Sequence, residues 1–184
     1  MSISLEAISS IGSMVSGLAV LASLVYLSLQ IKQAEKNQQA IIQQARSTRN
    51  AGFNIAIAES SRLTDAFLKA YSAETLTMEE WFRFNSVQGS YFQHAEDSFY
   101  QHKHGLLPED AYQGFENTLK AVIARPCARV AWKIVRARFD VDFIEFIDGL
   151  IASTPVAPPF DAGLLAQWKS DMASELANIS TPGA

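Results

Sequence analysis

Three histidines beside two acidic residues are the side chains of this chain best suited to holding a metal ion. His94, His102 and His104 lie near Glu96 and Asp97, and His94 shares a helix face with Asp97. A di-iron helical bundle requires E-x-x-H pairs on two helices, but no glutamate here is followed by histidine three residues later. H-E-x-x-H and clustered Cys/His ligands are also missing from the sequence. We therefore predict no metal or cofactor site, and expect the histidines to cap a helix end or face solvent.

Nucleophilic chemistry has equally little support. No G-x-S-x-G elbow is present. Cys127 is the single cysteine, so it cannot form an internal disulfide, and its position beside Arg125 would lower its pKa only if the thiol were exposed. Because Cys127 falls on the apolar side of its predicted helix, a buried, inert thiol is favoured. The sequence therefore predicts a non-enzyme with no catalytic residues, although an active site without a local motif stays open.

Positive charge is concentrated between residues 117 and 139, which contain no acidic residue. Four basic side chains fall within about 80° on a helical wheel: Arg125, Arg129, Lys133 and Arg136. This basic stripe could contact anionic lipid headgroups or another anion. Alternatively, it could pair with the acids that follow in the next helix, which are Asp140, Asp142, Glu145 and Asp148. The net charge of −4 favours no nucleic-acid partner.

Aromatic residues recur at helical spacing in the middle of the chain. They are Trp81, Phe82, Phe84, Tyr91, Phe92, Phe99 and Tyr100. A set of this kind can line a pocket for a small apolar ligand. It can also supply the large side chains that a small helical core requires, which is the reading we favour.

Residues 7–31 predict a transmembrane helix, because they contain no ionisable side chain except a tyrosine. At 1.5 Å per residue they span roughly 37 Å, more than the ~30 Å hydrocarbon core of a bilayer. No lysine or arginine precedes them, and no A-x-A pattern ends them, so an anchor is favoured over a cleaved signal peptide.

Charge around this segment predicts its orientation. Only Glu6 precedes the helix, whereas Lys32, Lys36, Arg46 and Arg49 follow it. Basic residues near a membrane helix favour the cytoplasmic side. We expect residues 1–6 in the periplasm and the bulk of the chain in the cytoplasm, at a bacterial inner membrane.

Small residues lie on adjoining faces in the first part of the membrane helix. They are Ser9, Gly12, Ser13, Ser16 and Gly17. Spacings of four between small residues favour close packing of helices in lipid. This small-residue face therefore predicts association with another membrane helix.

The remaining chain predicts an all-α protein, a membrane helix continuing into a stalk and then a compact bundle of about five to six helices. Residues 32–50 lack glycine and proline and predict the helical stalk, and residues 51–153 predict the cytoplasmic domain, whose first helix is expected over 53–71. Thr77 and Glu80 form a capping box, and Pro108 and Asp140 mark later helix starts.

Two final segments complete the predicted organisation. Residues 154–160 contain three prolines and predict a linker. Residues 161–180 predict an amphipathic C-terminal helix that docks onto protein. Its apolar stripe includes Leu165, Trp168, Met172 and Leu176.

Three stretches of sequence are familiar: VLASLVYLSLQIKQ at Val20 to Gln33, FYQHKHGLLPEDAYQGF at Phe99 to Phe115, and RPCARVAW at Arg125 to Trp132. They resemble uncharacterised bacterial single-pass membrane proteins with an N-terminal anchor helix and a helical cytoplasmic domain. The resemblance covers most of residues 7–153 and implies the same topology, without implying an activity.

These observations predict a non-catalytic, membrane-anchored interaction or assembly protein. Its partners would be membrane lipid and protein, as a homo-oligomer or as an accessory subunit of a larger inner-membrane complex. The alternative is a membrane-tethered sensor that binds anionic lipid or a small apolar ligand, through the basic helix 125–138 or an aromatic pocket.

Overall fold

A computed structural model describes the backbone of residues 5–180, and the side chains of that range except those of residues 5–8, 10, 11, 162 and 180. The predicted periplasmic segment 1–6 therefore lies outside the described side chains. The described chain is helical, without a β-strand, which confirms the all-α prediction. Its elements are α1 (Leu5–Glu59), α2 (Ser61–Tyr71), α3 (Met78–Lys103), α4 (Glu109–Ile123), α5 (Pro126–Val135), a 3₁₀ turn (Arg136–Arg138), α6 (Val141–Ser153) and α7 (Ala162–Ser180).

Helix α1 is longer than the sequence predicted. The expected helix over 53–71 is wrong in its start, because α1 continues through Gly52 as far as Glu59. A single glycine inside a helix costs only about 1 kcal/mol, so neighbouring helix formers carry the helix across it. The break comes at Ser60, whose hydroxyl accepts a hydrogen bond from the Leu63 N–H and so caps α2.

The chain divides into two compact units, Met1–Ser47 and Thr48–Ala184. In the first unit every side chain from residue 12 to residue 38 is exposed. This holds for its most apolar part, where Leu21 is 61% exposed and Leu24 is 58% exposed. Among the described residues, α1 alone is long and apolar enough to cross a membrane.

Local capping signals set the starts of α3 and α6 as predicted. The Thr77 hydroxyl accepts from the Glu80 N–H, and the Glu80 carboxylate accepts from the Thr77 N–H, which confirms the capping box at α3. After α3, Gly105 adopts a positive φ of 72°, a conformation that glycine reaches without strain. The Asp140 carboxylate caps α6 by accepting from the Asp142 N–H.

Two hydrophobic clusters hold the second unit together. The larger one joins α3 to α6 and includes Phe92, Leu119, Trp132 and Phe143, none more than 1% exposed. The smaller one lies around α2, where Phe67 packs with buried and partly buried residues of α3, α5 and the end of α1. Helix α2 is therefore fixed between its neighbours, and this arrangement positions the site described next.

Candidate functional site

A cavity of about 490 Å³ opens beside the smaller cluster of the second unit. It is lined by the end of α1, by α2, and by side chains from α3, α4 and the segment before α7. We call it the aromatic cavity, because its walls include Phe53, Phe67, Tyr71, Tyr91 and Phe160. The volume falls within the range of small-molecule sites in proteins.

Aromatic contacts fix the walls of the aromatic cavity. The Phe53 ring lies 5.7 Å from the Tyr91 ring and 6.3 Å from the Phe67 ring, measured between centroids. The Phe160 ring meets the Tyr71 ring edge to face at 5.0 Å. Edge-to-face pairs at these distances are favourable and restrict the rings, so the walls are ordered before any ligand arrives.

The segment predicted as a linker at residues 154–160 is non-helical, but it is tied down by hydrogen bonds. The Phe160 N–H donates to the Tyr71 carbonyl at 2.8 Å, and the Ala157 N–H donates to the Ala124 carbonyl at 2.8 Å. The Arg125 guanidinium donates to the Pro158 carbonyl at 3.0 Å and lies 4.5 Å from the Phe160 ring centroid. These bonds hold Phe160 at the cavity wall.

The polar groups of the aromatic cavity are neutral. Burial raises the pKa of Tyr71, and burial together with the nearby Tyr71 hydroxyl raises the pKa of Tyr91, so both phenols stay protonated at neutral pH. Asn50 and Asn54 add amide groups, and no lining side chain carries a formal charge. The arrangement can therefore bind an uncharged molecule.

Three side chains of the predicted basic stripe make hydrogen bonds or ion pairs within the domain. Arg125 supports the Phe160 segment. Arg129 donates through Nε to the Ile123 carbonyl at 2.7 Å and through a terminal nitrogen to the Thr154 carbonyl at 2.5 Å. Arg136 pairs with Asp148. Lys133 is exposed. Of the four residues, Arg136 pairs with an acid of α6, whereas Arg125 and Arg129 bind backbone carbonyls.

Three of the four acids after the stripe, Asp140, Asp142 and Asp148, have defined partners. Asp148 accepts a hydrogen bond from the indole nitrogen of the buried Trp132 at 2.8 Å, in addition to its ion pair with Arg136. Lys103 pairs with Asp142. The Tyr100 hydroxyl donates to Asp140 at 2.6 Å, and this bond lowers the pKa of Asp140 and raises that of Tyr100 to about 12.

His94 and His102 have different surroundings. The His102 ring stacks on Tyr112 with centroids 3.7 Å apart, and its Nδ1 lies 3.3 Å from the Leu107 carbonyl. Partial burial, with Arg49 nearby, lowers the pKa of His94. Among the side chains that the structure describes, no group of three or more metal-binding residues comes together. Burial raises the pKa of the Cys127 thiol, which agrees with an unreactive cysteine.

The predicted packing surfaces are exposed. All five residues of the small-residue face, from Ser9 to Gly17, are exposed, and a Cβ added at Gly12 or Gly17 would meet no atom within 4 Å. On α7, Leu165 is 57% exposed and Trp168 is 59% exposed, and every side chain from residue 163 to residue 179 is exposed. Neither surface is covered by the described part of the chain.

For the aromatic set of the sequence, a core role was favoured over a pocket. Of the predicted set, Tyr91 lines the aromatic cavity, whereas Phe84 and Phe92 are buried in the clusters, and Phe82 is 65% exposed. One feature of the sequence marks Phe160. It is an aromatic residue directly after two prolines, in a short, irregular segment that has no core of its own.

No protein-family model, curated protein or solved structure matches this chain. The resemblance to bacterial single-pass membrane proteins therefore stays a prediction.

Proposed function

We propose that this protein is a non-catalytic, membrane-anchored interaction module. In this proposal residues 7–31 cross a bacterial inner membrane, with the N-terminus in the periplasm. Residues 32–50 form a stalk, and the helices that follow form a cytoplasmic bundle. The module binds protein through its exposed apolar surfaces, either as a homo-oligomer or as a subunit of a larger membrane complex.

The observation that carries the proposal is the exposure of the most apolar segment of the chain. Helix α1 presents Leu21, Leu24 and Val25 outward, each with more than half of its surface exposed. Contiguous apolar surface of this extent is unfavourable in water, whereas lipid hydrocarbon covers it without cost. The helical backbone satisfies its own hydrogen bonds, as a membrane span must.

Helix α7 supports a protein partner rather than a lipid surface. Its exposed stripe of Leu165, Trp168 and Met172 gives an apolar face. Lys169 is the single basic residue between 162 and 180, opposed by Asp171 and Glu175. A helix that binds a membrane surface typically carries several basic residues on its polar face. A protein groove is therefore the better match for α7.

The test measures the mass of full-length protein purified in a mild detergent. A complex larger than one chain is expected, either of identical copies or with a defined second protein. Replacing Leu165 and Trp168 with lysine should reduce this mass. Replacing Ser170 and Ser174 with lysine adds the same charge to the polar face and should leave the mass unchanged.

A second pair of variants separates the membrane contact from the α7 contact. Gly12→Leu with Gly17→Leu makes the small-residue face bulky, and should weaken association only if the membrane helices pack there. A protein that is strictly monomeric, without a co-purifying partner, would contradict the proposed function.

A further inference from the structure

We propose that the aromatic cavity is a binding site for an uncharged, flat ligand that has an apolar ring system and at least one carbonyl oxygen. This inference goes beyond the proposed function, because it concerns a small molecule and a different surface from α7 or the membrane helix.

The size and walls of the cavity define the body of the ligand. A volume of about 490 Å³ accepts a molecule of two or three fused or linked rings. Phe53, Phe67 and Phe160 present rings from three different segments of the chain. Such walls favour a flat aromatic body, which can stack on one ring while meeting the edges of the others.

The charge of the lining excludes ionic ligands. Among the described residues, no lysine, arginine, histidine, aspartate or glutamate lines the cavity. Arg125 contacts the rings of Tyr71 and Phe160 while donating to the Pro158 carbonyl. A charged ligand would lose its hydration without gaining a partner, so a neutral one is strongly favoured.

The two tyrosines define the polar end of the ligand. Tyr71 and Tyr91 both line the cavity, and each carries a phenol hydroxyl. The Thr64 hydroxyl already donates to the Ile57 carbonyl. Because protonated phenols are good donors, the ligand group they suit best is an acceptor oxygen such as a ketone.

Photolabelling with benzophenone tests this inference, since benzophenone is itself a neutral aromatic ketone. Full-length protein in detergent is irradiated with near-ultraviolet light, digested, and its adducts are located by mass spectrometry. We expect saturable labelling of peptides covering residues 50–71 and 118–122. Fluorenone, a flat ketone without comparable photoreactivity, should compete with this labelling.

Variants connect the labelling to the cavity. Val122→Trp should fill the cavity and reduce labelling at least about tenfold. Val130→Trp is the matched control, because Val130 is 56% exposed on α5. Labelling of this variant should match that of the parent protein. Tyr91→Phe keeps the ring and removes one donor, so the benzophenone concentration for half-saturation should rise about three- to tenfold.

The labelling pattern distinguishes binding in the cavity from partition into detergent. Labelling confined to α1 upstream of residue 47, or unsaturable labelling, would overturn the inference, because it would report partition into detergent. Cavity labelling that survives both Val122→Trp and Tyr91→Phe would also overturn it. If Val122→Trp unfolds, as judged by circular dichroism, Thr118→Trp at the exposed rim replaces it.

Discussion

The hydrogen bond between Trp132 and Asp148 should contribute more to stability than any exposed ion pair of the domain. Trp132 is 1% exposed, and its indole nitrogen donates to an Asp148 carboxylate oxygen at 2.8 Å. Asp148→Ala removes that acceptor and leaves a buried N–H without a partner, which costs about 1–3 kcal/mol. We expect the free energy of unfolding to fall by about 2 kcal/mol.

The ion pair between Asp148 and Arg136 should add little to this effect. The side chains are 40% and 47% exposed, so water screens their attraction. Asp148→Asn removes the charge but keeps an acceptor for Trp132. Its effect should therefore be less than half that of Asp148→Ala. Urea unfolding of the full chain in mild detergent, followed by circular dichroism, gives the comparison.

A double-mutant cycle isolates the hydrogen bond. In a Trp132→Phe background the indole donor is gone, so Asp148→Ala should cost less than about 1 kcal/mol. Asp142→Ala is a control, because Asp142 is the partner of Lys103 in an exposed ion pair. Equal losses for Asp148→Ala with and without Trp132 would refute the reasoning.

Three further predictions concern other polar contacts. The Gln88 side chain is 1% exposed and its amide nitrogen has no hydrogen-bond partner, so Gln88→Met should raise the free energy of unfolding by about 1 kcal/mol, and a loss in urea unfolding would contradict this. Arg129→Met leaves two carbonyl groups without their donor and should lower the free energy of unfolding by about 2 kcal/mol, whereas Lys133→Met should change it little. The hydrogen bond from Lys69 lowers the pKa of Glu80 from 4.5 to about 2, so its stabilisation is present above pH 4.5 and is lost as the pH falls towards 2; Glu80→Gln should flatten the pH dependence of stability in that window.

Features set by neighbours in the sequence were predicted well. The capping box of Thr77 and Glu80, the proline before α4 and the Asp140 cap depend on residues within one helical turn, so they are visible without the fold. The end of α1 was placed incorrectly because both Gly52 and Ser60 are weak breakers. Which of them interrupts the helix depends on how Phe53, Ile57 and α2 pack together.

Contacts between residues far apart in the sequence were predicted only in part. The charge pattern correctly suggested that acids of α6 could pair with the basic stripe, as Arg136 and Asp148 do. It could not indicate that Arg129 binds two backbone carbonyls, because its contacts lie 6 and 25 residues away. The aromatic cavity combines α1 to α4 with Phe160, and no local periodicity connects those segments.

Membrane fractionation tests the central claim most directly. Full-length protein produced in a bacterium should stay in the membrane pellet after an alkaline wash, and only detergent should release it, because lipid covers the apolar surface of α1. Recovery of the intact chain in the soluble fraction without detergent would contradict the membrane anchor and, with it, the proposed function.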